Sequence, residues 1–231
     1  MKSDQDMKNL SGRLNLFFTG LTHILLVAPV IYIIVLYIQK YSFFSWHPIL
    51  MSVGVGLLII EGVFCISGEA NVANRFSRVN RVTLHWIINS IGLGLMFIGL
   101  IIIVVNKNRG SRPHFTTTHG QLGLSSIIIS SIVALFGIAA YNTRWFYPKV
   151  RPILIKVAHA FGGIAITILF IATIINGIYK ESFPGNNIGR SLVVTSFVLA
   201  LVLVLFKPII GAVSRTRVLL KPVRQQHSLN T

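Results

Sequence analysis

Residues 82–105 read VTLHWIINSIGLGLMFIGLIIIVV, an uncharged stretch that begins after Arg81 and is followed by Asn106 and Lys107. A helix that crosses a hydrocarbon layer of about 30 Å needs about 20 mostly apolar residues, so this stretch is long enough to span a bilayer. One histidine, His85, stands a turn inside it. Both features recur along the chain. Residues 14–38, 46–67, 118–140, 157–179 and 191–206 form the other apolar stretches, interrupted only by Glu61. The last is short, but a snorkelling Lys207 lets residues 209–213 extend it. The spacing predicts an all-α fold: a six-helix transmembrane bundle whose central four-helix core is made of spans two to five.

Composition excludes the main rivals. Only 11% of the 231 residues are charged and 53% are hydrophobic, whereas a soluble domain carries about 25% charged residues. Cys65 is the only cysteine, so no intrachain disulfide can form. The net charge of +16 resembles a nucleic-acid signal, but the Lys and Arg residues lie in short clusters between apolar runs. Nucleic acid is therefore not an expected partner; the lipid bilayer is. The first span is too long for the core of a cleavable signal peptide, and no small-residue cleavage site is evident before Lys40. No retention tetrapeptide or prenylation box is expected to act at the C-terminus. The expected organisation is a tail over 1–13, a transmembrane domain over 14–215 and a second tail over 216–231.

An even number of spans puts both termini on one side. That side collects Lys2, Lys8 and Arg13; Arg75, Arg78 and Arg81; Arg144, Lys149, Arg151 and Lys156; and Lys207, Arg215, Arg217, Lys221 and Arg224. The other side holds Lys40, Lys107, Arg109, Arg112, Lys180 and Arg190. Cytoplasmic loops carry the excess of Lys and Arg, so both termini are expected in the cytosol. An endoplasmic reticulum or vesicle membrane is expected in preference to the plasma membrane.

Four histidines repeat one placement. His47, His85, His119 and His159 lie within the first two turns of spans two, three, four and five. Successive spans run in opposite directions, so His47 and His119 fall near the non-cytosolic face and His85 and His159 near the cytosolic one. In a bundle of sequential order, spans two and four share one diagonal and three and five the other. With neighbouring axes ~8–10 Å apart, two imidazoles can face each other across such a diagonal with a metal between them. Zinc would need more protein ligands than two. A haem needs only two axial ones, since the porphyrin supplies the rest. The residues thus predict two haems, one held by His47 and His119, the other by His85 and His159. Gly123 and Gly163, one turn after His119 and His159, and Gly54 and Gly92, seven residues after His47 and His85, are expected to leave room for a flat guest. Gly99, fourteen residues after His85, falls on that face too.

The other polar positions carry less. His23 reads as a lone packed polar residue and His227 as part of a polar tail. His114, beside Arg112 in a non-cytosolic loop, is a candidate acceptor contact or a plain solvated histidine. Glu61 is the only acid in any span, and intramembrane acids are functional candidates. Its fourteen-residue offset from His47 predicts the same inward face, as a proton relay or haem contact, with pairing to Arg78 or Arg81 as the alternative.

With these residues in view, the chain resembles the cytochrome b561 family. The resemblance rests on Phe44-Ser45-Trp46-His47-Pro48-Ile49-Leu50-Met51 with Glu61 further along, on His85-Trp86, on His119-Gly120-Gln121 with Gly123, and on His159-Ala160 with Gly163. It implies two haem b groups and electron flow from cytosolic ascorbate across the membrane to monodehydroascorbate, ferric iron or ferric chelates. Arg78, Arg81, Arg151 and Lys156 are then the expected ascorbate surface, since clustered cations favour an anionic donor, and His114 and Arg112 the expected acceptor site. Ascorbate-using relatives have lysines where this chain has Arg78 and Arg81, and aromatic or hydroxyl residues at the positions of Thr116, Thr117 and Thr118. Two other functions remain open: a haem-bearing anchor that passes electrons to a partner protein, and a six-helix metal transporter. A homodimer is left open as well.

Overall fold

The structure, a computed structural model, describes residues 2–67 and 77–220. Arg75, Lys221, Arg224 and His227 lie outside the described residues. Among those described, all regular structure is helical, and six helices are long and apolar enough to cross a membrane: Asn9–Gln39, Phe43–Ile66, Arg78–Arg109, Thr118–Tyr141, Pro152–Ile178 and Asn187–Leu220. The expected fold class is the one observed. The chain is a multi-pass membrane protein.

Local chemistry explains several boundaries. The Ser77 hydroxyl accepts from the Asn80 amide and the Thr117 hydroxyl from the Gly120 amide, each satisfying an amide that the first helical turn leaves without a partner. Pro152 opens the fifth span, where its missing N–H is no loss. The first helix begins at Lys2 rather than at the membrane boundary expected near residue 14. The sixth continues through Lys207 and Pro208 to Leu220, well past Phe206.

The second span is not uniform. It opens with a 3₁₀ turn at Phe43–Ser45 and one α-helical segment, Trp46–Met51, then widens into a π-helix over Ser52–Ile59 before returning to α over Ile60–Ser67. A π-helix bonds i to i+5, so each of its residues turns through less than the ~100° of an α-helix. Residues beyond it are rotated away from the face an α-helical count predicts.

Spans two and three pack side by side, as do four and five; five touches two and six, and the first span closes against the second and the sixth. Spans two and three meet at two glycines. A Cβ added to Gly54 would lie 2.8 Å from the Gly92 carbonyl oxygen, and one added to Gly92 would lie 2.7 Å from that of Gly54. These glycines let two backbones approach; they do not line room for a guest, which corrects the reading of both. Two apolar clusters hold the bundle. Leu26, Val30, Ile60, Phe197, Ala200 and Val204 join spans one, two and six. Val55, Met96, Ile127, Ile166 and Phe170 fill the middle of the four-span core.

Candidate functional site

The bundle has a terminal end, where the first span begins and the sixth finishes, and an opposite end. The structure brings His47 and His119 together at the opposite end, with ring centres 6.3 Å apart and planes at 85°. At the terminal end His85 and His159 meet in the same way, at 6.2 Å and 86°. Each pair joins one diagonal of the four-span core.

A backbone carbonyl fixes each ring. The Nδ1 atoms of His47 and His85 lie 2.9 and 2.8 Å from the carbonyls of Gly99 and Gly62. Those of His119 and His159 lie 3.1 Å from the carbonyls of Thr173 and Val133. The arrangement is reciprocal: spans two and three each seat the other's histidine, and so do spans four and five. A carbonyl oxygen only accepts, so Nδ1 carries the proton and Nε2 keeps its lone pair for a metal.

Seats for the rings are cut by glycine. A Cβ on Gly177 would lie 2.9 Å from Cε1 of His119, and one on Gly137 would lie 3.0 Å from Cε1 of His159. Sequence reasoning missed both, although a signal was present: each lies eighteen residues, five helical turns, beyond the histidine of its own span, Gly137 after His119 and Gly177 after His159. Gly163 has open space where its Cβ would be, and Gly123 meets only Thr173 at 3.9 Å. These two glycines do leave room beside a ring.

The pairs fit the axial positions of a haem. Two imidazoles that bind one metal in line through nitrogens about 2.0–2.1 Å away have ring centres about 6.3 Å apart, which matches both separations. Among the described residues no group of three or more His, Cys, Asp or Glu side chains converges, so a guest metal would have to bring its own remaining donors. The terminal end adds an orphaned polar atom: Nε of Arg81, a turn before His85, is buried without a hydrogen-bond partner among the described residues. An anionic group such as a carboxylate would satisfy it.

A cavity of about 540 Å³ surrounds the His47–His119 pair and reaches Lys107, Arg112, His114 and Lys180. His114 and Arg112 therefore share a space with that pair. The loop that carries them is folded tightly. Lys107 Nζ donates to the Pro113 carbonyl at 2.7 Å, His114 Nε2 lies 2.7 Å from Asn108 Oδ1, and Ser111 and Phe115 have φ of 47° and 52°. That left-handed backbone is uncommon away from glycine. The guanidinium of Arg109 lies 4.3 Å from the Phe43 ring centre, tying the third span to the start of the second. At the terminal end Arg78, Arg151 and Lys156 are exposed and Arg81 is half-buried.

Two expectations are corrected. His23 is not a lone polar residue: its Nδ1 lies 2.7 Å from Oε1 of Glu61. Glu61 thus faces the first span, away from the His47 face, because the π-helix between them breaks the fourteen-residue count.

Six membrane-spanning helices that enclose two layers of paired imidazoles define a class of helical integral membrane protein. The chain belongs to the eukaryotic cytochrome b561 family, whose model matches residues 46–184, and that family implies haem b. It is 28% identical over 171 residues to Transmembrane reductase CYB561D2 of Mus musculus, covering 72% of this chain and 75% of the relative. It is 27% identical over 173 residues to the Homo sapiens protein of that name, covering 73% and 76%. With Lysosomal membrane ascorbate-dependent ferrireductase CYB561A3 of Homo sapiens it shares 26% identity over 146 residues, covering 61% of this chain and 57% of that one.

Proposed function

We propose that the protein is a two-haem transmembrane oxidoreductase that takes electrons from cytosolic ascorbate and delivers them across the membrane to monodehydroascorbate, ferric iron or ferric chelates. The observation that carries this reading is the pair of imidazole layers, each with the ring separation of a doubly ligated metal, at opposite ends of one four-span core. In this reading His47 with His119 would hold one haem and His85 with His159 the other. Each haem b supplies a one-electron iron centre when bound. The names of the relatives, a transmembrane reductase and an ascorbate-dependent ferrireductase, support the reaction class.

The chain's own residues do the rest. The four carbonyls hold the imidazoles in one tautomer and make them better ligands. Arg78, Arg81, Arg151 and Lys156 draw an anionic donor to the terminal end, where Arg81 also offers its unpartnered Nε to a carboxylate. Lys107, Arg112, His114 and Lys180 do the same for an anionic acceptor or chelate at the other end. The Lys and Arg bias puts the terminal end, with the tails over 1–13 and 216–231, in the cytosol. An endoplasmic reticulum or vesicle membrane is the proposed location.

The test is a visible spectrum of purified protein with a haem-to-protein ratio. About two haems per chain are expected, each with the spectrum of two axial nitrogens. One haem per chain overturns the two-centre reading, and colourless protein that binds a divalent metal leaves the transporter.

The glycine seats give a sharper expectation. Gly177→Val forces the His119 ring off its seat, and Gly137→Val does the same to His159. Each variant should keep about one haem, and the two should lose different ones. Full haem content in both would show that the seats do not position the ligands.

A further inference from the structure

Among the described residues one ion pair lies inside the spans and outside both imidazole layers. His23 of the first span and Glu61 of the second are joined at 2.7 Å, outside both imidazole pairs and toward the terminal end. An acid kept inside a span is costly, and an Arg or Lys partner would fix the charge of the pair. Histidine does not: it changes charge near neutral pH, so the pair switches between net charge −1 and 0. The side chain of His23 is 43% exposed, against 19% for Glu61, while Thr22 and Thr19 are buried polar residues on the terminal side of His23.

The backbone connects this pair to a haem-ligand position. Gly62, the next residue after Glu61, supplies the carbonyl that accepts from Nδ1 of His85 at 2.8 Å. Asn89 closes the same corner: its Nδ2 donates to the His85 carbonyl at 2.7 Å and packs against Gly62. Glu61 is thus joined to the seat of the His85 ring through a single peptide unit.

We propose that His23 and Glu61 form a proton-holding site that is charge-linked to the His85–His159 layer and takes up one proton when that layer gains an electron. The inference rests on the two-haem reading above. Ascorbate monoanion loses one electron and one proton and becomes the monodehydroascorbate radical anion. A haem held by His85 and His159 would supply the one-electron acceptor, and one proton would go to the His23 imidazole, so the pair would pass from −1 to 0 and the charge added to this end would be balanced. When the electron moves on, the proton returns to the terminal face. Among the described residues, Cys65 on the second span stands near both Glu61 and Arg81 of the third, and the sixth span carries Lys207 toward the same end.

The experiment is a spectroelectrochemical titration of the haem-loaded protein in nanodiscs between about pH 5 and 8, with Glu61→Gln, His23→Phe and Cys65→Ser beside the wild type. A proton bound on reduction makes reduction harder as pH rises. In the wild type the reduction equilibrium of the terminal-end haem should weaken by up to about tenfold per pH unit, while the other haem stays nearly flat. Glu61→Gln and His23→Phe should each flatten that slope with both haem bands intact, and Cys65→Ser should leave it in place. A slope that survives either of the first two substitutions, or disappears with Cys65→Ser, overturns the inference. If Glu61→Gln does not fold, His23→Phe alone decides it by the same criterion. Wild-type protein without two haem bands overturns the two-haem reading instead, so the two failures are distinguishable.

Discussion

Vesicles that carry the reconstituted protein and enclose ascorbate reduce an external, impermeant ferric chelate, and the rate in His85→Ala or His119→Ala falls to that of protein-free vesicles. This is the largest effect the structure leads us to expect. The two imidazole layers lie in different spans at opposite ends of the core, and Met96 and Phe170 fill the distance between them. Loss of either layer leaves a gap that neither ascorbate nor a ferric ion can cross. The two substitutions should therefore be equally damaging although they sit at opposite faces. Arg78→Ala with Arg81→Ala should be milder, raising the ascorbate concentration needed. Fully loaded wild-type protein that reduces nothing across the bilayer would leave the anchor function, in which electrons go to a partner protein.

The second large effect concerns which haem each ligand holds. His47→Ala and His119→Ala should lose the same haem, and His85→Ala and His159→Ala the other, since the rings are paired that way at 6.3 and 6.2 Å. About half the haem absorbance should remain in every single variant. The double variant His47→Ala with His119→Ala should lose no more than either alone, because residues that hold one group act as a unit. The double variant His47→Ala with His85→Ala should lose both haems. Visible spectra with a haem assay decide this, and loss of the same band by His47→Ala and His85→Ala would show the pairing to be wrong.

Much of this was legible in the sequence because two periodicities carry it. Span length follows from hydrocarbon thickness, so residues 82–105 and the other apolar stretches could be read directly. A histidine one turn inside each of four alternating spans fixes which faces it can occupy, and the diagonal pairing follows from helix packing. What was not legible depends on departures from the α-helical repeat and on neighbouring helices. No residue type announces the π-helix at Ser52–Ile59, yet it turns Glu61 away from His47 and toward His23. Gly54 and Gly92 looked like room for a guest because an offset within one helix cannot reveal that another backbone lies there. Gly137 and Gly177 were missed for the converse reason: they seat a ring from the neighbouring span, and only the five-turn spacing hinted at it.

The apolar filling of the core has a consequence of its own. Val55, Met96, Ile127, Ile166 and Phe170 lie between the two imidazole layers, and the only acid in any span, Glu61, faces the first span instead of this septum. In the proposed reaction an electron would therefore cross alone. Each turnover would leave the donor compartment more positive and the receiving one more negative, so the protein would work as a small generator. Moving one elementary charge against 100 mV costs about 2.3 kcal/mol, so flux in a sealed vesicle would slow as the voltage builds. It would resume when another route, such as a channel or an added ionophore, lets counter-ions flow.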